Sequence, residues 1–267
     1  MQNRYAGDAG DFMTFGLLRS LSGRDAALRL GVNWYLRSDE AHNADGRHVS
    51  YLRPSSAHHR SLSRCDPDLM VRLARVVSGI RSVAALEAAG VVPADTLVFN
   101  EPVPTSGRLG DRKSWHRRAL DALLPADLVF VAPDNGLRLL PRGRAASKYA
   151  SYEEVAAYVA RDQSLVVYQH ADRSPGRVES QVDRRCGALA EATGRDPIGA
   201  VVTRRGSCRY FVLLAAPAHR DLLRERAAAH CATWAPHAAF AVYDKWGESR
   251  RGSPYEQPLV VPHVVQT

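Results

Sequence analysis

The stretch Leu128-Val129-Phe130-Val131-Ala132-Pro133-Asp134-Asn135-Gly136 decides the fold. Five consecutive apolar residues, too few for a helix and rich in β-branched and aromatic types, read as a strand buried on both faces. The strand ends at a proline, followed at once by an acid, an amide and a glycine. In open α/β sheets ligands sit just beyond the carboxyl ends of the strands, so Asp134 and Asn135 fall where an active site is expected. A second segment repeats the plan: Leu165-Val166-Val167-Tyr168 runs into Gln169-His170 and then Asp172-Arg173-Ser174-Pro175-Gly176. Two buried strands that each release polar groups at one end predict a single crevice. The other reading is an Asx turn after each strand, with Asn-Gly as ordinary turn chemistry.

Outward from these strands the chain alternates helices and strands. A helix is predicted over Phe12–Leu21, with Phe12, Phe15 and Leu18 along one stripe. Leu30–Leu36 is read as the first strand. Its exit loop, Arg37 to His48, is either a functional lining or a solvated hairpin with an Asp-Gly turn leading to Val49–Leu52. Asp66-Pro67-Asp68 starts a helix running to Ser78, and a shorter helix covers Ser82–Ala89. Leu97-Val98-Phe99 is a strand, and Ser114-Trp115 opens the helix before the central strand. Ser151-Tyr152-Glu153-Glu154 has the pattern of a capping box and starts a helix to Arg161. A helix follows from Arg177 to Thr193. Ala200–Thr203 and Arg209–Leu214 form a hairpin, a helix spans Ala218–Cys231, and Ala238–Tyr243 is the last strand. This order predicts a three-layer α/β/α sandwich with a mostly parallel central sheet and an antiparallel end hairpin. One domain, 1–267, is expected, with 244–267 as an extended tail.

Composition narrows the function. At 45% hydrophobic and 24% charged residues the chain matches ordinary globular proteins, and no apolar run reaches the roughly 18 residues of a membrane span. With no signal-like segment, the expected compartment is the cytoplasm. The four cysteines are scattered, which suggests neither zinc nor a disulfide framework. A formal charge of +8, carried mainly by arginine, points to a polyanionic partner. The phosphate-contacting candidates are Arg60, Arg142, Arg144, Arg173, Arg204 and Arg205. The N-terminal group Tyr5, Asp8 and Asp11 looks like a loop folded onto a site. Asp39, Asp45, Arg47 and His48 in the first strand's exit loop, together with Gln169, Lys148 and Tyr149, complete the substrate-binding set. Lys148, in a chain with three lysines, is either a phosphate contact, a Schiff-base nucleophile or an exposed residue without a role.

No G-x-x-x-x-G-K-[ST] motif is present, and the first strand ends without a glycine-rich turn, which excludes P-loop chemistry and disfavours a Rossmann cradle. A strand-end acid and amide, a strand-end histidine and arginine-bearing loops suit hydrolysis of an N-glycosidic bond in a flipped nucleotide. Val131-Ala132-Pro133-Asp134-Asn135-Gly136 and His170-Ala171-Asp172-Arg173-Ser174-Pro175 resemble the G-Q-D-P-Y and H-P-S-P motifs of uracil-DNA-glycosylase-like enzymes. Here no Gln precedes the acid, no Pro-Tyr follows it, and three residues separate His170 from Ser174. In such a reaction an amide or histidine, Asn135 or His170, supports the charge on the departing base; the resemblance implies double-stranded DNA as partner, Asp134 as the water-activating acid and His170 beside the base carbonyl. It implies no cofactor, no metal and no obligate protein partner. Because the strand-end loops are mainly polar, an enlarged hydrophilic base is expected, such as the hypermodified bases of phages, with a role in phage defence. The alternatives are a methyltransferase-like enzyme, since Asn3–Arg19 and Ala132–Asn135 are similar to adenine-N6 RNA methyltransferases, a nuclease holding a metal on Asp39, Asp45 and Asp134, and a non-catalytic nucleic-acid-binding module.

Overall fold

The computed structural model describes residues 1–23, 28–40, 46–106, 108–139, 144–171, 177–205 and 207–243. The expected tail 244–267 lies outside them. Seven strands make one mixed sheet: β1 Leu30–Asn33, β2 Leu97–Phe99, β3 Leu128–Val131, β6 Ser164–His170, β7 Gly199–Arg205, β8 Ser207–Leu214 and β9 Ala238–Val242. Their order is β2-β1-β3-β6-β8-β7-β9, parallel from β2 to β6 and antiparallel from there to β9. The expected fold class is therefore the observed one. Between them lie β4 Gly136–Arg138 and β5 Tyr149–Ser151, a parallel pair of their own.

The pleat sorts the core into two layers. Leu128 and Phe130 of β3, Val166 of β6 and Phe211 and Leu213 of β8 point to one face. Val129 and Val131, Leu165 and Val167, and Val212 and Leu214 point to the other. This period of two explains why strands with helices on both sides read as unbroken apolar runs. The first face is covered by α1 Ala9–Ser22, α2 His59–Cys65, α3 Pro67–Ser78, α4 Val83–Ala88 and α8 Arg220–Thr233. The second is covered by α5 Leu109–Ala122, α6 Tyr152–Val159 and α7 Val178–Thr193.

Local signals act as their chemistry requires. Asp66 caps α3 by accepting from Leu69 N at 2.9 Å, with Pro67 at the first helical position. The capping box at Ser151 and Glu154 forms. One reading needs correction. Ser50–Leu52 is a single 3-10 turn, so the loop after β1 is not a hairpin arm: the Tyr51 hydroxyl donates to Gly7 O at 3.1 Å and its ring packs on Phe12, which takes this segment into the helical layer. Arg60, read as a phosphate contact, lies in α2, whose Leu62 is buried. No described helix is long and apolar enough to cross a membrane.

Candidate active site

At the carboxyl edge of the parallel strands the chain goes to opposite sides of the sheet from β1 and β3, the switch point where such folds bind ligands. A cavity of about 490 Å³ opens there, within the range of small-molecule sites. Strand alternation builds its walls. Phe130 and Ala132 lead along one face of β3 to Asp134, and Tyr168 leads along β6 to His170; all five line the cavity. In the antiparallel register His170 faces Arg209 and Tyr168 faces Phe211, so Arg209 of β8 is delivered to the same face. At the end of β1 the chain turns through Tyr35 with φ +45°, and Trp34 goes to the cavity while Tyr35 enters the opposite core. A non-glycine residue in that region stores on the order of 1–3 kcal/mol of strain, which here separates the two rings.

The floor of the cavity closes with the start of α1. Asp8 caps the helix by accepting from Asp11 N at 2.9 Å, and Asp11 accepts from Gly7 N at 2.9 Å. Both side chains are buried and line the cavity, as does Thr14 one turn on. Burial first, and the neighbouring Asp8 second, push the Asp11 carboxyl well above the ordinary carboxylate range, against the opposing pull of Gly7 N–H, Arg209 and Arg81. The Arg209 guanidinium lies against Gly10, between the two acids in sequence. A Cβ at Gly10 would stand 2.6 Å from Arg209 Nη2 and closer still to Cζ and Nη1, so any side chain there would push the guanidinium aside. Burial works against its charge, while Tyr168, Asp8 and Asp11 more than restore it.

Asp134 is engaged differently from the sequence expectation. The Met1 ammonium stands 2.7 Å from Oδ1, Gln2 Nε2 donates to Oδ2 at 2.7 Å, and Arg37 Nη1 lies 3.4 Å from Oδ2. The same ammonium donates to the carbonyls of Trp34 and Tyr35 at the β1 exit. Asp134 thus ties residues 1–2 across the ends of β1 and β3. These contacts fix both carboxylate oxygens at the tip of β3, where the sequence places the water-activating acid.

Of the other expected residues, Tyr5, Asn135, His48 and His170 also line the cavity, the two histidines from exposed positions. Tyr5 is covered by Arg4, whose Cζ sits 4.9 Å from the ring centroid. The remainder serve the surroundings. Gln169 is buried: Oε1 accepts from Leu137 N at 2.8 Å and Nε2 donates to His170 O at 3.1 Å. Lys148 is paired with Glu40 at 2.7 Å, and that carboxyl, also bound by Arg37, is held down to about 2, chiefly by the Lys148 hydrogen bond. Tyr149 lies in β5 with Arg138 over its ring, and Asp39 accepts from Arg4 N at 3.1 Å. Arg47 and Arg60 are exposed. Arg204 pairs with Glu179 at 3.2 Å. Arg144 begins a 3-10 turn and Arg205 ends β7. Asp45, Arg142 and Arg173 lie outside the described residues.

Trp34, Phe130, Tyr168, Thr14 and Arg209 belong to the cavity without having been singled out. Period-two counting along Val166-Tyr168-His170 could have found Tyr168, whereas Arg209 requires the strand register. Tyr5, Trp34, Phe130 and Tyr168 add aromatic faces to a lining that is otherwise mainly polar. Among the described residues no group of three or more His, Cys, Asp or Glu is placed to hold a metal ion.

Fold and site together define an α/β/α sandwich with an acid-floored, aromatic-walled cavity at the switch point of its sheet. Compared with known proteins, the chain matches no family model, no curated protein and no solved structure.

Proposed function

We propose that this protein is a hydrolytic DNA glycosylase whose cavity takes a nucleobase swung out of the duplex. The observation that supports this best is the combination inside one cavity: planar aromatic side chains at Tyr5, Trp34, Phe130 and Tyr168, and carboxyl groups at Asp8, Asp11 and Asp134. Aromatic faces hold a flat base after it leaves the stack, and buried carboxyls favour the cationic sugar that forms as the base departs. Asp134, fixed by Met1, Gln2 and Arg37, acts as a stationary charge rather than as a base. Asn135, whose own N–H donates to Lys148 O at 2.9 Å, offers its amide to the base. His48 and His170 at the opening meet the sugar-phosphate backbone, and the chain's charge of +8 supplies the long-range attraction. The cavity has room beyond a plain pyrimidine, consistent with an enlarged base.

The alternatives fit less well. A methyltransferase needs a tight turn from β1 into a helix that presents backbone N–H groups, but α2 begins only at His59, and the α1 N-terminus at the cavity carries Asp8 and Asp11. For the nuclease, Asp39 and Asp134 are each satisfied by separate partners.

The test is incubation with plain and modified phage DNA in chelator, scoring abasic sites and identifying released bases by mass. Asp134→Asn should lower release roughly 10²–10³-fold in protein that still unfolds cooperatively. Saturable S-adenosylmethionine binding without base release from any DNA would refute the reading.

A further inference from the structure

We propose that Asp11 is the general acid of this site, giving its proton to the base as the glycosidic bond breaks; this rests on the glycosylase reading above. Asp8 and Asp11, three residues apart at the start of α1, share one face of the helix. Each spends one oxygen on the backbone, Asp8 Oδ1 on Asp11 N and Asp11 Oδ2 on Gly7 N, which fixes both carboxyls. The second oxygens, Asp8 Oδ2 and Asp11 Oδ1, belong to residues only 6% and 8% exposed. Both residues line the cavity, so those oxygens are the ones a base can meet.

Two carboxyls this close disfavour double ionisation. The groups acting on Asp11 come from every neighbouring element: Asp8 on its own helix, Arg209 from β8, Arg81 before α4, Tyr51 from the 3-10 turn and the Met1 ammonium. Burial and Asp8 outweigh the cations, so Asp11 keeps its proton at pH values where ordinary carboxyls have lost theirs. A buried acid held protonated beside the reacting base is the arrangement a proton donor needs.

The step balances. The C1′–N bond breaks and its electron pair goes to the base; the Asp11 proton moves to a ring nitrogen or carbonyl oxygen of that base. Water adds to C1′ and gives a proton to the Asp8–Asp11 pair, which restores the starting state. The Arg209 guanidinium over Gly10 is placed to stabilise the Asp11 carboxylate in between, as a positioning residue.

Asp11→Asn keeps an oxygen for Gly7 N and the helix cap intact, but it has no transferable proton. Single-turnover release would be measured for full-length wild type and Asp11→Asn on two duplex substrates, one with a neutral base and one with N7-methylguanine. The latter is already cationic and departs without an acid. The expected result is a loss of roughly 10²–10⁴-fold on the neutral base and less than about threefold on N7-methylguanine. The wild-type rate on the neutral base should fall as pH rises through the Asp11 pKa, and that limb should vanish in the variant. Equal losses on both substrates, or none on the neutral base, would overturn the acid role and leave the glycosylase reading standing. Release of neither base by wild type would overturn both.

Discussion

Gly136→Ala tests how the site is hung on the sheet. Gly136 has φ +95°, a conformation that costs a residue with a Cβ about 1–2 kcal/mol. Its Cβ would also stand 2.5 Å from Gln169 Cδ and 2.7 Å from Nε2. Gln169 is 4% exposed and cannot swing into solvent. Displacing it strips Leu137 N of its acceptor at 2.8 Å, a further cost of about 1–3 kcal/mol for an orphaned buried donor. Together these predict a loss of roughly 2–5 kcal/mol. At about 2–4 °C per kcal/mol for a domain of this size, the thermal midpoint should drop by around 10 °C, measured alongside urea unfolding. Gln169→Ala removes the obstacle, so the double variant should cost less than the two single changes summed, by about 1–3 kcal/mol. Strict additivity, or a loss under about 1 kcal/mol for Gly136→Ala alone, would refute the packing argument and leave Asn-Gly as ordinary turn chemistry.

Two further predictions concern buried charge on the two faces. Arg112 grips Glu154 at 2.6 Å and 3.0 Å under the Tyr35 and Trp115 rings; Glu154→Gln should cost about 3–5 kcal/mol in urea unfolding. Burial raises the Glu154 pKa, but Arg112 outweighs it and the net direction is down. The stability this carboxyl contributes is therefore present above its unfolded value and lost as pH falls through the lower folded one. His230, buried with Nδ1 2.9 Å from Ser20 Oγ, is pushed down to about 3 by burial. It must take up a proton on unfolding below its ordinary value of 6.5, so stability falls with pH between there and about 3. His230→Gln should remove about 3 kcal/mol of the acid sensitivity at pH 4; an unchanged pH profile would show the ring to be hydrated.

Much of the fold was legible because local chemistry and tertiary packing agree. Leu97–Phe99 is the strand its composition predicts, Thr193-Gly194 ends α7 with Gly194 in the left-handed region, and Ser151–Glu154 caps α6. The failures arise where burial overrides local pattern. Val49–Leu52 alternates like a strand, but Tyr51 and Phe12 draw it into the helical layer. Tyr149–Ser151 becomes a strand only because Gly136–Arg138 lies beside it, a pairing that no short window contains. The site was half legible. Asp8, Asp11, Asp134 and His170 stand out as polar groups in unusual places, and they do line one cavity. Spacing could not show that the Met1 ammonium occupies Asp134, nor that Arg209 arrives from a distant strand.

That contrast bears on which acid does chemistry. Asp134 is surrounded by cations and amides, so its charge is matched and its stability cost small. The opposite holds at the head of α1, where two acids are buried side by side, a glycine occupies the first turn and an arginine is folded over it. Each of these choices weakens the helix or the core taken singly: glycine by about 0.5–1 kcal/mol relative to alanine, the raised carboxyl by the work of ionising it where it is buried. Residues that depart from good packing in one place, around one cavity, are where function is to be sought. On this ground Asp11, rather than the strand-tip acid that the motif resemblance selects, is the group whose removal should abolish proton delivery to the base and with it the alkaline limb of the rate.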